Sequence, residues 1–126
     1  MALIKRSNIK DASLTILTVS GVVTCQDVIH ALEDFFKNDV TPNLLWDYTD
    51  ADVSEITEKC MNQIIAIAKS NAHLREKGRT AIVGRGDVTF GLSRMYEILS
   101  ELREHPIQHH VFRNIDEAIT WLKTDE

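Results

Sequence analysis

The sequence predicts an α/β fold: a single domain over residues 1–126, with a mostly parallel five-stranded sheet and the element order β-β-α-β-α-β-α-β-α. Two observations support this prediction. Short strand-like segments alternate along the chain with longer segments of helical periodicity. The last third, Gly84–Leu122, holds a glycine-broken turn, a capped helix, a short strand and a capped terminal helix. Such alternation favours right-handed crossovers between parallel strands, with the first strand antiparallel at the sheet edge.

Five segments have the composition and alternation of strands: Leu3–Ile9, Leu14–Val19, Asn43–Thr49, Thr80–Val83 and Ile107–Arg113. Within the second segment the side chains divide between two faces, with Leu14, Ile16 and Thr18 on one and Thr15, Leu17 and Val19 on the other. Because several strands alternate rather than being apolar throughout, we expect one face of the sheet to be less completely covered.

Capping residues place the ends of the first two helices. Thr24 is a good N-cap for the first helix, since Asp27 three residues later can complete a capping box. The second helix is predicted to begin at Ser54 and to end at about Lys77. Gly78 then has the position of the left-handed residue that commonly ends a helix.

The last two helices are also marked by their first residues. Asp87 is predicted to cap the third helix, and Asn114 with Glu117 forms a capping-box pattern for the fourth. The apolar residues of the third helix share one face and are expected to pack on the sheet: Leu92, Met95, Tyr96, Leu99 and Leu102.

Composition and charge argue against several classes of partner. The net charge is −5 and the basic residues are scattered singly or in pairs, so no basic stripe is present to bind nucleic acid or an anionic membrane surface. No segment approaches the length of a membrane span, and the N-terminus has too few consecutive apolar residues for a signal peptide. We therefore expect no integral membrane association and a cytoplasmic location.

The cysteines and histidines do not predict a metal or cofactor site. Cys25 and Cys60 both fall in predicted helices and are expected to be buried, reduced thiols. His109 and His110 are adjacent in a strand, so their side chains point to opposite faces and cannot share a metal ion. His105 lies in the turn before them with no third ligand nearby.

The turn Gly84–Gly86 between a strand and a helix could in principle hold a phosphate through its backbone amides. Neither a dinucleotide-binding pattern nor a Walker pattern is present, and Asp87 would repel an anion. A tight turn is the simpler interpretation. Gly91, inside the third helix, costs about 1 kcal/mol relative to alanine, which close packing against a neighbour or a ligand would explain.

Acidic residues follow the third strand: Asp47, Asp50, Asp52 and Glu55. Their spacing lacks the central glycine and closing glutamate of a calcium loop. Acidic residues at a helix N-terminus are favoured by the helix dipole alone, while a cation site or the rim of a pocket is the functional alternative.

Aromatic residues lie at or just beyond the predicted strand ends, where α/β sheets bind ligands: Trp46, Tyr48, Phe90 and Tyr96. Core packing is the alternative role of each. The sequence contains no nucleophile elbow and no cysteine in an electropositive turn, so it provides no candidate catalytic residue.

Two segments carry a resemblance to a known family: Phe90-Gly91-x-x-Arg94-x-Tyr96-Glu97, and Val111-Phe112-Arg113-x-x-Asp116-Glu117-Ala118-x-x-Trp121-Leu122. With the element order, they resemble the SpoIIAA-like family of small bacterial domains related to STAS and CRAL-TRIO proteins. The resemblance implies a cytosolic α/β domain, commonly a homodimer, without established catalytic activity. Anti-sigma-factor antagonists of this lineage bind protein partners and switch by serine phosphorylation, whereas CRAL-TRIO domains hold a hydrophobic ligand.

The antagonist branch implies a D-S-S-G or D-S-T-G motif after the third strand. Here that region contains Thr49 and Ser54 without the motif or its glycine, and a phosphate there would meet the neighbouring carboxylates. The ligand branch directs attention to Trp46, Tyr48, Phe90 and Tyr96, with Arg94 as a partner for a carboxylate or phosphate.

The leading hypothesis is a non-enzymatic regulatory domain that acts by protein–protein contact and self-associates. The alternative is a carrier or sensor of a small apolar or lipid-like ligand. A third hypothesis, an enzyme that uses Arg94 with nearby charged residues, requires Arg85, Asp87 and Arg94 to share a cleft.

Overall fold

A computed structural model describes residues 2–124 of the chain and confirms the predicted α/β fold. The described residues form five strands: β1 Leu3–Ile9, β2 Leu14–Val22, β3 Asn43–Asp52, β4 Arg79–Val83 and β5 Gln108–Phe112. The α-helices are α1 Cys25–Lys37, α2 Glu58–Ser70, α3 Asp87–Leu102 and α4 Ile115–Leu122. Short 3₁₀ helices span Lys10–Ala12 and Ala72–Arg75. Among these elements, no helix is both long enough and apolar enough to cross a lipid bilayer.

The sheet follows the order of the sequence, β1-β2-β3-β4-β5. β1 is antiparallel to β2, with Ile9 opposite Leu14, and the pairs from β2 to β5 are all parallel. The antiparallel edge strand is therefore confirmed. When parallel strands are added in sequence order, right-handed crossovers place every connecting helix on the same face of the sheet.

The helices are divided between the two faces in that way. On one face, α1, α2 and α3 pack on a core that includes Leu17, Val19, Leu44, Trp46, Ile82, Val111, Val28, Leu32, Phe35, Cys60, Ile64 and Ala68. On the other face, α4 packs on a core that includes Leu14, Ile16, Leu45, Ala81, Val83, Ala118 and Leu122. The alternation predicted for β2 is confirmed. The second face is covered by α4, a helix of 8 residues, and is thus the less completely covered one.

Two of the predicted helix starts are present as capping hydrogen bonds. The Thr24 hydroxyl accepts from the Asp27 N–H at 3.2 Å, and the Asp27 carboxylate accepts from the Thr24 N–H at 2.9 Å. At α4, the Asn114 side-chain oxygen accepts from the Glu117 N–H at 2.9 Å.

The other two predicted starts are wrong. Thr57 rather than Ser54 caps α2, because its hydroxyl accepts from the Cys60 N–H at 3.1 Å. Gly86 is the N-cap of α3, and Asp87 is its first helical residue. In both places several residues with capping potential stand together, and the backbone path decides which one is used.

The end predicted for α2 is also wrong. The α-helix ends at Ser70, and a 3₁₀ turn continues the chain to Arg75. The left-handed residue that follows is Lys77, with φ 66°, and not Gly78. Gly78 is required for a different reason, since a side chain there would meet the backbone of Pro42.

The prediction of reduced thiols is wrong as well. Cys25 and Cys60 form a disulfide with their Cα atoms 5.8 Å apart. Both residues lie in the first turn of their helices, and the packing of α1 beside α2 brings these turns together. A pairing over 35 residues of sequence depends on tertiary structure, so local patterns could not reveal it.

The apolar face predicted for α3 matches the buried face only in part, since Leu92 and Tyr96 pack against the core but two other predicted residues do not. Met95 is 40% exposed and Leu102 is 73% exposed. The most buried residues of α3 are Ser93 and Ser100, at 6% and 2%, because small side chains allow the helix to lie close to the core. Part of the apolar surface of α3 therefore faces solvent.

Candidate functional site

The carboxyl ends of β2 to β5 lie along one edge of the sheet, where α/β domains usually bind their ligands and partners. The end of β3, the loop that follows it and the first residue of α2 carry four exposed carboxylates: Asp50, Asp52, Glu55 and Glu58. The loops after β4 and β5 carry the exposed cations Arg85 and Arg113. The exposed carboxylates of Asp87, Asp116 and Glu117 lie beside these cations, so charges of both signs are mixed near β4 and β5, whereas the stretch from Asp50 to Glu58 carries acidic residues alone.

The β3–α2 loop, defined as residues 50–58 so that it includes the end of β3 and the first residue of α2, is shaped by its own hydroxyl and carboxylate groups. The Ser54 N–H and hydroxyl both donate to one oxygen of Asp52, at 2.9 Å and 2.6 Å. These two hydrogen bonds lower the pKa of the Asp52 carboxyl. Thr57 then caps α2, and Val53 between them is buried. The loop thus has a defined conformation while its acidic side chains remain in solvent.

Thr49, which lies in β3, makes the same pair of hydrogen bonds to a carboxylate two residues before it. Its N–H and hydroxyl donate to Asp47 at 3.0 Å and 2.6 Å, and both residues are half-buried. Of the two predicted phosphorylation residues, Ser54 is exposed and Thr49 is not. A phosphate on either one would face a carboxylate that the hydroxyl now contacts.

Phe90 contacts a cation instead of a ligand cavity. The Arg113 guanidinium lies 4.1 Å from the centre of the Phe90 ring. Arg113 also donates to the Arg85 carbonyl at 3.2 Å and to the Asp87 carboxylate at 3.3 Å. These contacts hold the β5–α4 loop against the first turn of α3.

Arg94 lies on the outer side of α3. Its guanidinium donates to Glu97 at 2.6 Å, and the other oxygen of Glu97 is 3.2 Å from the His110 Nδ1 atom. Arg85, Asp87 and Arg94 are all exposed, and Arg94 is paired with Glu97 rather than with Asp87. The enzyme hypothesis therefore has no support from this geometry.

A small apolar cavity of about 50 Å³ lies between α2, α3 and the sheet. It is lined mainly by Trp46, Tyr48, Val53, Met61, Ile64, Ser93 and Tyr96. The Trp46 and Tyr48 rings are stacked with their centres 5.9 Å apart, and burial raises the pKa of the Tyr48 and Tyr96 phenols.

Three of the five predicted ligand-binding residues therefore lie together: Trp46, Tyr48 and Tyr96 line the cavity, whereas Phe90 and Arg94 do not. A cavity that binds benzene is about 150 Å³. At a third of that size, this cavity has no room for a lipid chain.

A half-buried histidine pair near the C-terminus of α3 was not expected from the sequence. The His105 and His109 rings are 4.6 Å apart, and the Tyr96 ring packs on His109. Burial, and to a smaller extent the charges of Arg75 and Lys69, lowers the pKa of His105 to about 4. Burial and the nearby His105 lower the pKa of His109 to about 3. Both side chains are therefore neutral at pH 7 and serve packing.

Arg75 is the buried cation beside this pair. Its side chain is 2% exposed, and it donates to the carbonyl groups of Pro42 at 3.1 Å and Arg79 at 2.9 Å. Burial lowers the pKa of this guanidinium to about 10. Across residues 2–124, no three His, Cys, Asp or Glu side chains are grouped so that they could hold a metal ion.

The five-stranded sheet in sequence order, with its antiparallel edge strand and α4 alone on one face, is the SpoIIAA-like fold. No protein-family model matches the sequence, and no curated protein matches it significantly. Solved structures do match, over nearly the whole chain.

An anti-sigma factor antagonist from Mycobacterium paratuberculosis is similar with a TM-score of 0.63 and 16% identity, over 98% of this chain and 96% of that chain. An uncharacterized protein with a SpoIIAA-like fold from Shewanella loihica has a TM-score of 0.59 and 20% identity, over 96% and 93%. The anti-sigma factor antagonist SpoIIAA in its unphosphorylated form has a TM-score of 0.56 and 7% identity, over 96% and 98%. At these identities the likeness shows the fold, and the SpoIIAA-like resemblance is confirmed at that level.

Proposed function

We propose that this chain is a non-enzymatic regulatory domain that binds a protein partner through its acidic β3–α2 loop and that also pairs with a second copy of itself. Two of the similar structures described above are anti-sigma factor antagonists, and the similarity extends over nearly the full length of each chain. The class of partner that this likeness suggests is an anti-sigma factor.

The observation that carries the proposal is an ordered, exposed acidic loop at the carboxyl edge of the sheet. Asp50, Asp52, Glu55 and Glu58 project into solvent while the Ser54–Asp52 hydrogen bonds and the Thr57 cap fix the backbone between them. A preordered loop loses little conformational entropy on binding. Its charge selects a basic surface and speeds encounter with it.

Ser54 is the residue through which such binding could be controlled. Its hydroxyl is exposed and donates to Asp52, so a phosphate at Ser54 would replace an attractive contact with repulsion from Asp52 and Glu55. The expected consequence is a loop that leaves its bound conformation. Thr49 is less suited to this role because it is half-buried within β3.

The ligand-carrier alternative is not proposed as a second function, because the cavity of about 50 Å³ is too small for a lipid-like molecule. A cytoplasmic location stays a prediction. Structural disulfides are rare in the reducing cytosol, so the redox state of Cys25 and Cys60 in cells bears directly on it.

The test is calorimetric titration of this protein with each purified anti-sigma factor of its source organism. We expect one of them to bind, and the variant Asp50→Lys/Glu55→Lys to weaken that binding at least about tenfold. The matched control is Glu33→Lys/Asp116→Lys, which makes the same change in net charge at exposed positions on α1 and α4. If no anti-sigma factor binds, or if both double variants bind equally well, the proposal is wrong.

A further inference from the structure

An exposed apolar stripe runs along α3. It consists of Val88, Gly91, Met95, Ile98 and Leu102. The exposed fractions are 66% for Val88, 40% for Met95, 47% for Ile98 and 73% for Leu102. A contiguous apolar surface of this kind on a small domain usually marks an interaction site.

The spacing of the stripe is that of a helix–helix seam. Its members are separated by three, four, three and four residues, which is the a/d pattern of a heptad repeat. At 100° per residue the five positions lie within an arc of roughly 80°. The stripe is therefore narrow and straight, as is suitable for a second helix packed alongside.

Gly91 supports close approach of that second helix. It lies in the middle of an exposed helix, where glycine costs about 1 kcal/mol relative to alanine. Within residues 2–124, no atom outside the helix's own backbone lies within 4 Å of the position its Cβ would occupy, so packing against another part of these residues does not explain the glycine. The missing side chain at Gly91 leaves space between Val88 and Met95 on the exposed face of the helix.

The charges beside the stripe indicate which helix packs on it. Arg94 and Glu101 flank the stripe on the same side, one heptad apart, and both are exposed. In an antiparallel pair of identical helices centred between Tyr96 and Glu97, Arg94 of each copy comes within reach of Glu101 of the other, so the dimer contains two opposite-charge contacts.

The same antiparallel arrangement packs the apolar residues of the two stripes against one another. Met95 of one copy faces Ile98 of the other, and Gly91 faces Leu102. A parallel pair would instead place Arg94 beside Leu99 of the second copy. The present Arg94–Glu97 contact joins an exposed guanidinium to a half-buried carboxylate, and Glu97 keeps its contact with His110 when Arg94 turns to the second copy.

We propose that the partner for this stripe is a second copy of the chain, with the two α3 helices packed antiparallel and Arg94 and Glu101 paired across the interface. This inference rests on the self-association part of the proposed function and names its surface. It does not involve the β3–α2 loop.

The first experiment measures mass against concentration by light scattering and sedimentation velocity. We expect the wild-type protein to approach twice the 14.3 kDa chain mass as its concentration rises. Ile98→Glu should weaken dimerisation at least about tenfold, because a carboxylate would be buried in the apolar seam. Circular dichroism should show an unchanged fold, since Ile98 is exposed in the single chain.

The second experiment tests orientation by mixing charge variants. Arg94→Glu and Glu101→Arg should each weaken the dimer, since each places like charges opposite one another. An equimolar mixture of the two should recover wild-type association, because in the mixed dimer both contacts join opposite charges.

The possible outcomes test different parts of the proposal. A protein that is monomeric at every concentration overturns self-association and its surface together. A dimer unaffected by Ile98→Glu, or a mixture that does not recover, overturns the surface alone. If the wild type is monomeric and Ile98→Glu loses anti-sigma factor binding, the stripe binds a different protein, and the proposed pairing of two α3 helices is wrong. Binding through the acidic loop is judged separately by its own variants.

Discussion

The carbonyl group of Pro42 occupies the space into which a side chain on Gly78 would project. The same carbonyl accepts a hydrogen bond from the Arg75 side chain at 3.1 Å, and the Gly78 N–H donates to the Arg75 carbonyl at 2.8 Å. These contacts join the start of β3 to the chain that enters β4. Neither backbone segment can move away without losing hydrogen bonds, so the close approach depends on the absence of a Cβ.

Gly78→Ala should therefore lower the free energy of unfolding by about 2–4 kcal/mol, as an over-packed site between two fixed backbones. Urea unfolding followed by circular dichroism measures it. Gly86→Ala is the matched control and should change stability by no more than about 1 kcal/mol, since φ is −80° there and a Cβ meets no described atom within 4 Å apart from its chain neighbours. A Gly78→Ala variant as stable as the wild type would contradict this account of the contact.

The element order and the two-faced pattern of β2 could be predicted because they depend on local periodicity. Leu14 and Ile16 alternate with Leu17 and Val19 in the sequence, and the same alternation separates the two cores. Capping by Thr24 was predictable for the same reason, since both partners of its capping box lie within four residues.

The candidate site was less predictable because it depends on tertiary contacts. The sequence contains apolar residues on more than one side of α3, and it does not show that Ser93 faces the core while Met95 faces solvent. Likewise, Phe90 and Tyr96 are both aromatic, but Arg113 from a distant loop covers the first, and the second lines the cavity.

The choice of N-cap for α2 can be tested directly. Thr57→Ala should destabilise the protein by about 1 kcal/mol, because the Cys60 N–H loses its hydroxyl partner at the helix start. Ser54→Ala should change stability by less than about 0.5 kcal/mol, since Ser54 is exposed and lies outside the helix. Chemical denaturation of both variants compares them. Equal losses of stability, or a larger loss for Ser54→Ala, would indicate that Ser54 and not Thr57 is the N-cap of α2.

The disulfide should make a large contribution to stability. It closes a loop of 35 residues between α1 and α2, for which chain-entropy arguments give roughly 3–4 kcal/mol. A thiol titration of the purified, unfolded protein should find no reactive thiol until a reductant is added. Reduction should then lower the midpoint of thermal unfolding, and the variant Cys25→Ser/Cys60→Ala should show the same lowered midpoint in either condition.

The control for that prediction is the double variant itself, since a reductant that acts elsewhere would lower its midpoint too. Two reactive thiols in protein purified without reductant would contradict the pairing. Alkylation of intact cells before lysis extends the measurement to the native compartment, where a disulfide would count against the predicted cytoplasmic location.

Stability should fall with decreasing pH because of the histidine pair. The folded-state pKa is about 4 for His105 and about 3 for His109, whereas an unfolded histidine has a pKa of about 6.5. Between these values the unfolded chain binds protons that the folded chain excludes. Stability is therefore highest above about pH 6.5 and declines below it, by roughly 1–2 kcal/mol per histidine at pH 5.

Asparagine can replace the Nδ1 contacts of both histidines without titrating. The Nδ1 atom of His105 accepts from the Ile107 N–H at 3.1 Å, and that of His109 is 2.7 Å from the Ile107 carbonyl. Urea unfolding at several values between pH 5 and pH 8 should therefore show a flatter pH dependence for His105→Asn/His109→Asn than for the wild type. His30→Gln, at an exposed position on α1, should keep the wild-type slope. If the asparagine variant keeps the wild-type slope of stability against pH, the acid sensitivity comes from other groups. The fold then does not hold the two imidazoles in the unprotonated form.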